Sequence, residues 1–304
     1  NKLLVRMQMV VREKTKKTEE QLQLCQLVSK NLQHLSNLDT LTYVMYRDTV
    51  MPKIIDQIVS SNEHHSQAFL MNVVISVFPV TFHISTLETL LRSIAVLHPD
   101  VDITEIVNNL FAKMTLFKKD KIPLDALLDR TNVFDVIQKL LLDACKKRAV
   151  SNTNFISIMA HFEEMQLLWY QENQETCFAH TCVILDQLYD YLDESAIEPA
   201  AQEFLLGLLT QISATFSVQE LLRSKSFHYL QEMLVYEQRK TLARTLIARI
   251  VATNERIGSE EFATELLLVC VDLIKQVRDE PGDIAYVVVC KDAGTAAQLL
   301  HFVE

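Results

Sequence analysis

The chain has 304 residues, of which 49% are hydrophobic and 22% charged, so it can bury a substantial core and does not have the composition of a disordered segment. Its glycines are too few and too widely spaced for a dinucleotide-binding turn, a phosphate loop, a nucleophile elbow or the turns of a β-sandwich: Gly207, Gly258, Gly282 and Gly294. The formal net charge of −10 repels a phosphate backbone and argues against a nucleic-acid-binding module.

Cysteine usage and hydropathy point to a cytoplasmic protein. The six cysteines are unevenly spaced and form no disulfide framework, which favours a reducing compartment. The longest uninterrupted apolar stretch, Ile284 to Cys290, is far short of the ~18 residues that span a bilayer. Asn1 to Arg12 lacks the apolar core of a signal peptide, and Asn1 stands in place of a methionine. We therefore expect an internal piece of a longer chain that meets membranes only peripherally.

Apolar residues recur at the spacing of a helix face along most of the chain. In chain order, clear stripes run from Leu22 to Leu38, Ala68 to Phe78, Leu87 to Leu97, Ile103 to Phe117, and Phe155 to Trp169. Each stripe predicts a helix that needs a neighbour to cover one face. Capping-box sequences begin at Thr18, Ser85 and Ser217, and Pro199 suits a first helical turn.

The spacing between helix starts predicts the architecture. Starts fall near positions 18, 40, 62, 85, 102, 131, 151, 173, 195, 217, 237, 259 and 283, about 22 residues apart. Two helices therefore take about 44 residues, which matches the ~40–47-residue period of HEAT-like repeats. This predicts an all-α, HEAT-like α-solenoid of about six antiparallel helix pairs, elongated, curved and continuous over residues 1–280.

Two segments interrupt this pattern. Charged residues and Pro123 between Lys118 and Arg130 predict an exposed loop. Pro281 and Gly282 separate a terminal segment, 281–304, from the rest. This segment begins with an apolar run that is typical of a buried strand, but no earlier segment is expected to pair with it. We therefore expect a further helix.

The polar clusters do not predict a metal or cofactor site. Cys177, His180 and Cys182 come closest, but positions 180 and 182 point about 200° apart on a helix, and Cys182 is expected in the core. His64 and His65 are adjacent and have no further ligand at a metal-binding spacing.

No catalytic residue is predicted either. Adjacent carboxylates point about 100° apart on a helix and are expected on solvated faces: Glu163 and Glu164, Asp193 and Glu194, Glu260 and Glu261. No tight turn presents a nucleophile, so we expect a protein that is not an enzyme. Two basic clusters in predicted loops or at a helix entry are candidates for weak contact with anionic lipid or an acidic partner: Lys14, Lys16 and Lys17, and Lys118, Lys119 and Lys121.

Short segments of the chain closely resemble the large α-solenoid subunit of retromer. They are Gln67–Met71, Val77–Pro79, Phe82–Glu88, Asn1–Gln8 and Ser226–Leu230. Within them, five residues are expected to pack between consecutive helices: Phe78, Pro79, Phe82, His83 and Leu87.

The resemblance implies a non-enzymatic scaffold, peripheral on endosomal membranes, that holds an arrestin-like subunit at one end and a phosphoesterase-like subunit at the other. With sorting nexins and cargo tails, such a scaffold retrieves cargo to the Golgi or the plasma membrane. The family's Pro-Arg-Leu-Tyr motif does not occur here, so this chain is expected to be the middle of the scaffold, with its partner contacts mainly outside it. The alternative is another HEAT or armadillo scaffold, such as a vesicle tether or a nuclear-transport receptor.

Overall fold

The structure, a computed structural model, describes residues 23, 26–61, 63–119, 133–192, 197–276 and 288–289. Nearly all of these residues lie in helices or in short turns between them, which confirms the predicted all-α class. The helices group into two compact units, Asn1–Val150 and Ser151–Glu304. Within the part of the chain described, no helix combines the length and the apolar content needed to cross a bilayer.

In the first unit, helices pack on other helices that follow them in the chain. Its elements are α1 (26–36), α2 (Tyr43–Met45), a π-helical turn (Tyr46–Val50), α3 (Met51–Val59), α4 (His64–Val77), α5 (Val80–Ser85), α6 (Leu87–Ile94), α7 (Ile103–Lys119) and α8 (Val133–Lys147). Helix α3 contacts α4, α4 packs on α7, and α6 packs on α8. Contacts of this kind bury the apolar stripes between successive helix pairs, which is the packing of a solenoid.

The second unit repeats this arrangement. Its helices are α9 (Asn152–Trp169), α10 (Gln174–Tyr191), α11 (Pro199–Thr215), α12 (Val218–Leu222), α13 (Lys225–Glu232), α14 (Tyr236–Thr253) and α15 (Glu260–Ile274). Helix α9 packs on α10 and α11, α11 packs on α14, and α14 packs on α15. Solenoid-like packing is therefore confirmed within each unit, whereas continuity over residues 1–280 stays a prediction.

Local sequence signals placed most helix starts within a few residues. The predicted starts near 151, 173, 217, 237 and 259 correspond to the observed starts of α9, α10, α12, α14 and α15. Pro199 lies in the first turn of α11, and the hydroxyl of Ser217 caps α12 by accepting the N–H of Glu220, as predicted. The prediction at Ser85 was wrong. This residue ends α5, and its hydroxyl donates to the carbonyl oxygen of Phe82 at 2.8 Å.

The terminal segment contains a short strand where we expected a helix. Strand β2 (Val288–Val289) pairs antiparallel with β1 (Lys275–Gln276), with Lys275 opposite Val289. Valine is β-branched and favours extended backbone, and the residues directly after α15 supply the pairing partner that the sequence did not reveal. The other residues of 281–304 lie outside the described part of the chain.

Helix α7 extends further than predicted. Its backbone is helical through Lys119, so Lys118 and Lys119 belong to a helix and not to the expected loop. The remainder of that predicted loop, from position 120 to 130, lies outside the described residues.

Two helix ends show the consequence of a sequence with few glycines. Ala149 (φ 47°) and Asn254 (φ 54°) take the left-handed conformation that glycine usually supplies. After α8, the N–H of Val150 donates to the carbonyl oxygen of Cys145 at 3.1 Å, and the N–H of Ala149 to that of Lys146 at 3.2 Å. This pair of bonds is a Schellman motif, built here around an alanine whose Cβ is crowded by its own backbone.

Two buried thiols, one in each unit, lie among the core residues. Cys145 lies on α8 and Cys270 on α15, and both side chains are fully buried. Burial raises the pKa of each thiol to about 12, because a thiolate is poorly solvated there. At neutral pH both residues therefore behave as small apolar side chains.

The substitution Ala149→Gly should raise the free energy of unfolding by about 0.5–1 kcal/mol. The relief of left-handed strain exceeds the entropy that glycine adds to the unfolded chain. Urea unfolding followed by circular dichroism measures the change. The matched control is Ala248→Gly, at an exposed position inside α14, which should lose about 1 kcal/mol. Destabilisation by both substitutions would contradict the left-handed conformation of Ala149.

Candidate functional site

The segment that carries the strongest sequence resemblance forms the junction between α4 and α5. Phe78 ends α4 in an extended conformation (ψ 148°), and Pro79 precedes α5 with φ −60°. Proline disfavours helical backbone in the residue before it, so the chain turns here. Pro79 itself is exposed. It ends one helix and begins the next, and it does not pack between helices as the sequence predicted.

Aromatic rings fill the inside of this junction. Phe78 is fully buried, and the centre of its ring lies 4.7 Å from that of Tyr46 in the π-helical turn. The ring of Phe82 lies 5.0 Å from the same tyrosine ring, but Phe82 is only half-buried. Leu87, at the start of α6, is also buried. The core of the junction is therefore Phe78, Tyr46 and Leu87, with Phe82 at its edge.

A lysine from a helix later in the chain donates hydrogen bonds to backbone carbonyl oxygens at this junction. The Nζ of Lys113, on α7, donates to the carbonyl oxygens of Ile75 (2.6 Å), Ser76 (2.7 Å) and Phe78 (2.5 Å). Carbonyls in the last turn of a helix have no partner within that helix, and a cation there also complements the helix dipole. Partial burial lowers the pKa of Lys113 to about 8.

His83 binds the same helix end. Its Nε2 lies 3.0 Å from the carbonyl oxygen of Ile75, which can only accept, so the proton is on Nε2. Burial, and then the charge of Lys113, lowers the pKa of His83 to about 4. His83 is therefore neutral at pH 7 and joins α5 to α4. The sequence predicted a packing role for His83 but gave no reason to select Lys113, which lies 35 residues after Phe78 and belongs to no motif.

The predicted basic contacts are only partly within the described chain. Lys14, Lys16, Lys17 and Lys121 lie outside it, and of Lys118 and Lys119 only the helical backbone is described. Their contact with lipid or an acidic partner stays a prediction.

A buried carboxyl group lies in the second unit, where the sequence predicted a solvated face. Glu163, on α9, is fully buried. Its Oε1 accepts from Oγ1 of Thr181 at 2.7 Å and from Nε2 of Gln166 at 3.1 Å. Burial raises the pKa of Glu163 to about 7, although these two hydrogen bonds oppose the shift.

The surroundings of Glu163 explain the wrong prediction. Helix α9 contacts both α10 and α11, so it is buried around most of its circumference and has little solvated face to offer. Buried apolar residues, Phe162 and Met165 among them, lie before and after Glu163 in the sequence. This high density of apolar residues along α9 was the sequence signal that could have predicted the burial of Glu163. The other described paired carboxylates, Glu164, Glu260 and Glu261, are exposed, whereas Asp193 and Glu194 lie outside the description.

The cysteine and histidine residues of α10 lie in different surroundings. Cys177 is buried, with its Sγ 3.6 Å from Oε1 of Gln166, whereas Cys182 is only half-buried. The prediction that Cys182 belongs to the core was therefore wrong, because α10 turns the face with Cys177 and Thr181 towards α9. His180 packs edge-on against the ring of Tyr170, with ring centres 4.6 Å apart.

One set of potential metal ligands comes together among the described residues. His64, His98 and Asp100 each place a ligand atom within 4.8 Å of the others. The sequence predicted no metal site because it paired His64 with its neighbour His65 alone. The second imidazole and the carboxylate come from the turn between α6 and α7, which only the fold brings to the start of α4.

An open cleft of about 790 Å³ lies on the surface of the second unit, between α10 and the turn from α12 to α13. Its lining combines aromatic rings, Phe178 and Tyr189, with charges of both signs, such as Asp186 and Arg223. The hydroxyl of Ser226 donates to Oδ1 of Asp186 at 2.5 Å and joins α13 to α10 beneath the cleft.

Comparison with known proteins identifies related sequences. Residues 1–304 match the family model described as vacuolar protein sorting-associated protein 35. The protein of that name from Dictyostelium discoideum is 25% identical over 279 residues, covering 90% of this chain and 36% of the relative. Protein 35C of the same name from Arabidopsis thaliana is 26% identical over 285 residues, covering 90% and 35%. Protein 35A from Arabidopsis is 39% identical over 117 residues, covering 38% and 15%. The chain thus spans about a third of the first two relatives.

Truncation of Phe78 should be strongly destabilising. Phe78→Ala removes a fully buried ring and should lower the free energy of unfolding by about 3–5 kcal/mol in urea titrations. Phe82→Ala is the matched control and should cost less, because part of that ring is already exposed in the folded state. A loss below about 1 kcal/mol for Phe78→Ala would contradict the packing of the junction.

Glu163 should make stability depend on pH. Its folded-state pKa of about 7 lies above the ordinary value of 4.5, so the folded protein binds the proton more tightly than the unfolded chain does. The contribution of Glu163 is therefore complete below pH 4.5 and is lost as the pH rises through about 7. Glu163→Gln cannot ionise and should gain up to about 3 kcal/mol relative to the wild type between pH 4.5 and 8.

Urea unfolding at a series of pH values measures this difference. Glu164→Gln, at the adjacent exposed position, is the control and should follow the wild-type pH dependence. If both variants keep a constant difference from the wild type, the Glu163 carboxyl is not buried in its neutral form.

Proposed function

The chain belongs to the vacuolar protein sorting-associated protein 35 family, and on that premise we propose that it forms the middle stretch of the large scaffold subunit of retromer. In this proposal the complete subunit holds an arrestin-like subunit and a phosphoesterase-like subunit at its two ends. It acts in the cytoplasm, peripherally on endosomal membranes, in the retrieval of cargo to the Golgi and the plasma membrane. Sorting nexins and cargo tails are its further partners.

The observation that carries the proposal is the family match over the entire chain, residues 1–304. Two relatives from distant organisms align with 90% of the chain, so the likeness is not confined to one short motif. The packing is of the kind a scaffold needs, since successive helix pairs in each unit bury their apolar stripes against one another.

The polar groups described above support a mechanical role. Lys113 and His83 are both engaged with backbone carbonyls at the end of α4, and Glu163, on α9, accepts a hydrogen bond from Thr181, on α10. These hydrogen bonds join one helix to another and fix the distance between them. We therefore propose a non-enzymatic part that holds bound subunits at a set spacing.

Affinity purification tests this proposal. The complete protein that contains this chain, tagged and purified from its own cells, should bring down an arrestin-like and a phosphoesterase-like subunit, identified by mass spectrometry. The 304-residue chain alone should capture neither purified subunit above background, because the proposed contacts lie mainly outside it. A tagged, unrelated helical-repeat protein is the control for nonspecific capture.

Two results would count against the proposal. Recovery of tethering or nuclear-transport components in place of the two subunits would favour another helical scaffold. Tight binding of either subunit to the 304-residue chain would show that this stretch carries an end contact and is not the middle of the scaffold.

A further inference from the structure

We propose that His64, His98 and Asp100 bind a zinc ion at the place where the start of α4 meets the turn between α6 and α7. The three side chains offer two imidazole nitrogens and one carboxylate oxygen, all within 4.8 Å of one another. Zinc sites with three protein ligands of this kind leave at least one position for water or for a ligand from another molecule. This inference does not depend on the proposed function.

The spacing of the ligand atoms is close to what an ion requires. Zinc lies about 2.0–2.2 Å from nitrogen and oxygen ligands, so tetrahedral neighbours are about 3.3–3.6 Å apart. His98 Nδ1 and Asp100 Oδ2 are already 3.7 Å apart. The Asp100 side chain is 70% exposed and can rotate, so a movement of roughly an ångström completes the geometry.

The fold holds the backbone that carries the two imidazoles in place before any ion binds. The N–H of His98 donates to Oε1 of the buried Gln67 at 2.7 Å, and Nη2 of Arg148 donates to the carbonyl oxygen of His98 at 2.9 Å. His64 occupies the first turn of α4, one turn before Gln67, and its ring centre lies 5.8 Å from that of His98. Ligands whose backbone is already ordered lose less entropy on binding than ligands on a disordered segment.

The ligand types suit zinc. Nδ1 of His98 accepts a long hydrogen bond, 3.3 Å, from the N–H of Asp100, and zinc binding at this nitrogen would replace that bond. Neutral imidazole is the form that binds zinc, and two imidazoles with one carboxylate favour zinc over magnesium or calcium, which prefer oxygen ligands alone.

The local charges set a limit on the affinity. The positive end of the α4 dipole and the guanidinium of Arg148 both oppose a cation. The carboxylate of Asp100 and that of Glu63, which precedes α4, offset them. We therefore expect reversible binding of one ion rather than a permanently occupied structural site.

Bound zinc would join two segments that are separate in sequence. It would link α4 directly to the turn that Arg148 already holds through the carbonyl oxygens of Leu97 and Val101. Because the ion binds the folded state alone, it should raise the melting temperature of the first unit.

Zinc titration against a chromophoric chelator, with the 304-residue chain, tests the site. The wild type should compete for one equivalent of zinc, and His98→Ala and Asp100→Asn should each weaken binding at least tenfold. Cobalt provides a second readout, since its visible absorption in the wild type should be lost in His98→Ala. Thermal unfolding without metal verifies that each variant is folded; Asp100→Asn alters an exposed side chain and keeps its volume.

His65→Ala is the matched control. Its ring lies 4.0 Å from that of His64 but outside the group of three, so this variant should bind zinc as the wild type does. Failure of the wild type to compete with the chelator would overturn the proposal. It would also be overturned if His98→Ala and Asp100→Asn bound zinc normally, or if His65→Ala lost as much affinity as they did.

Discussion

Each unit depends on polar side chains that bind the backbone of a turn one helix pair away. In the first unit, Nε2 of Gln67 donates to the carbonyl oxygen of Ser61 at 2.6 Å, while its Oε1 accepts the N–H of His98. Arg148 donates to carbonyl oxygens of the turn at 97–101, between 47 and 51 residues earlier in the chain. Turns leave carbonyl and N–H groups without helical partners, and a buried group left unsatisfied costs about 1–3 kcal/mol. By binding these groups, the side chains avoid that cost, and they also fix the distance between successive helix pairs.

The second unit uses the same device with different residues. Gln202 donates through Nε2 to the carbonyl oxygen of Met233 at 2.8 Å and accepts the N–H of Val235 through Oε1 at 3.1 Å. The carboxylate of Glu255 accepts the hydroxyl of Ser217 and the N–H of Gln219, so it caps the start of α12. The separations along the chain, between 31 and 38 residues, are shorter than those of Arg148, but these side chains likewise reach the backbone of a turn beyond the next helix. A repeat too degenerate to recognise by residue identity thus survives as a repeated pattern of contacts.

Features that depend on a few consecutive residues could be predicted from the sequence, and features that depend on the choice of neighbouring helix could not. Helix starts, the cap at Ser217 and the first-turn position of Pro199 are set by local backbone chemistry. The burial of Glu163 follows from two other helices closing over it, which no spacing within α9 encodes. For the same reason the meeting of Lys113 with the end of α4, and of His64 with the next turn, appeared only in the fold.

The buried thiols of Cys145 and Cys270 give each unit its own internal reporter. A thiol that ionises only at strongly alkaline pH and lies against packed helices cannot be alkylated until its helix separates from its neighbours. The rate of alkylation at each position is then governed by how often that part of the molecule opens. Because Cys145 lies in the first unit and Cys270 in the second, the alkylation rates read at these two positions separate opening of the first unit from opening of the second without any foreign label.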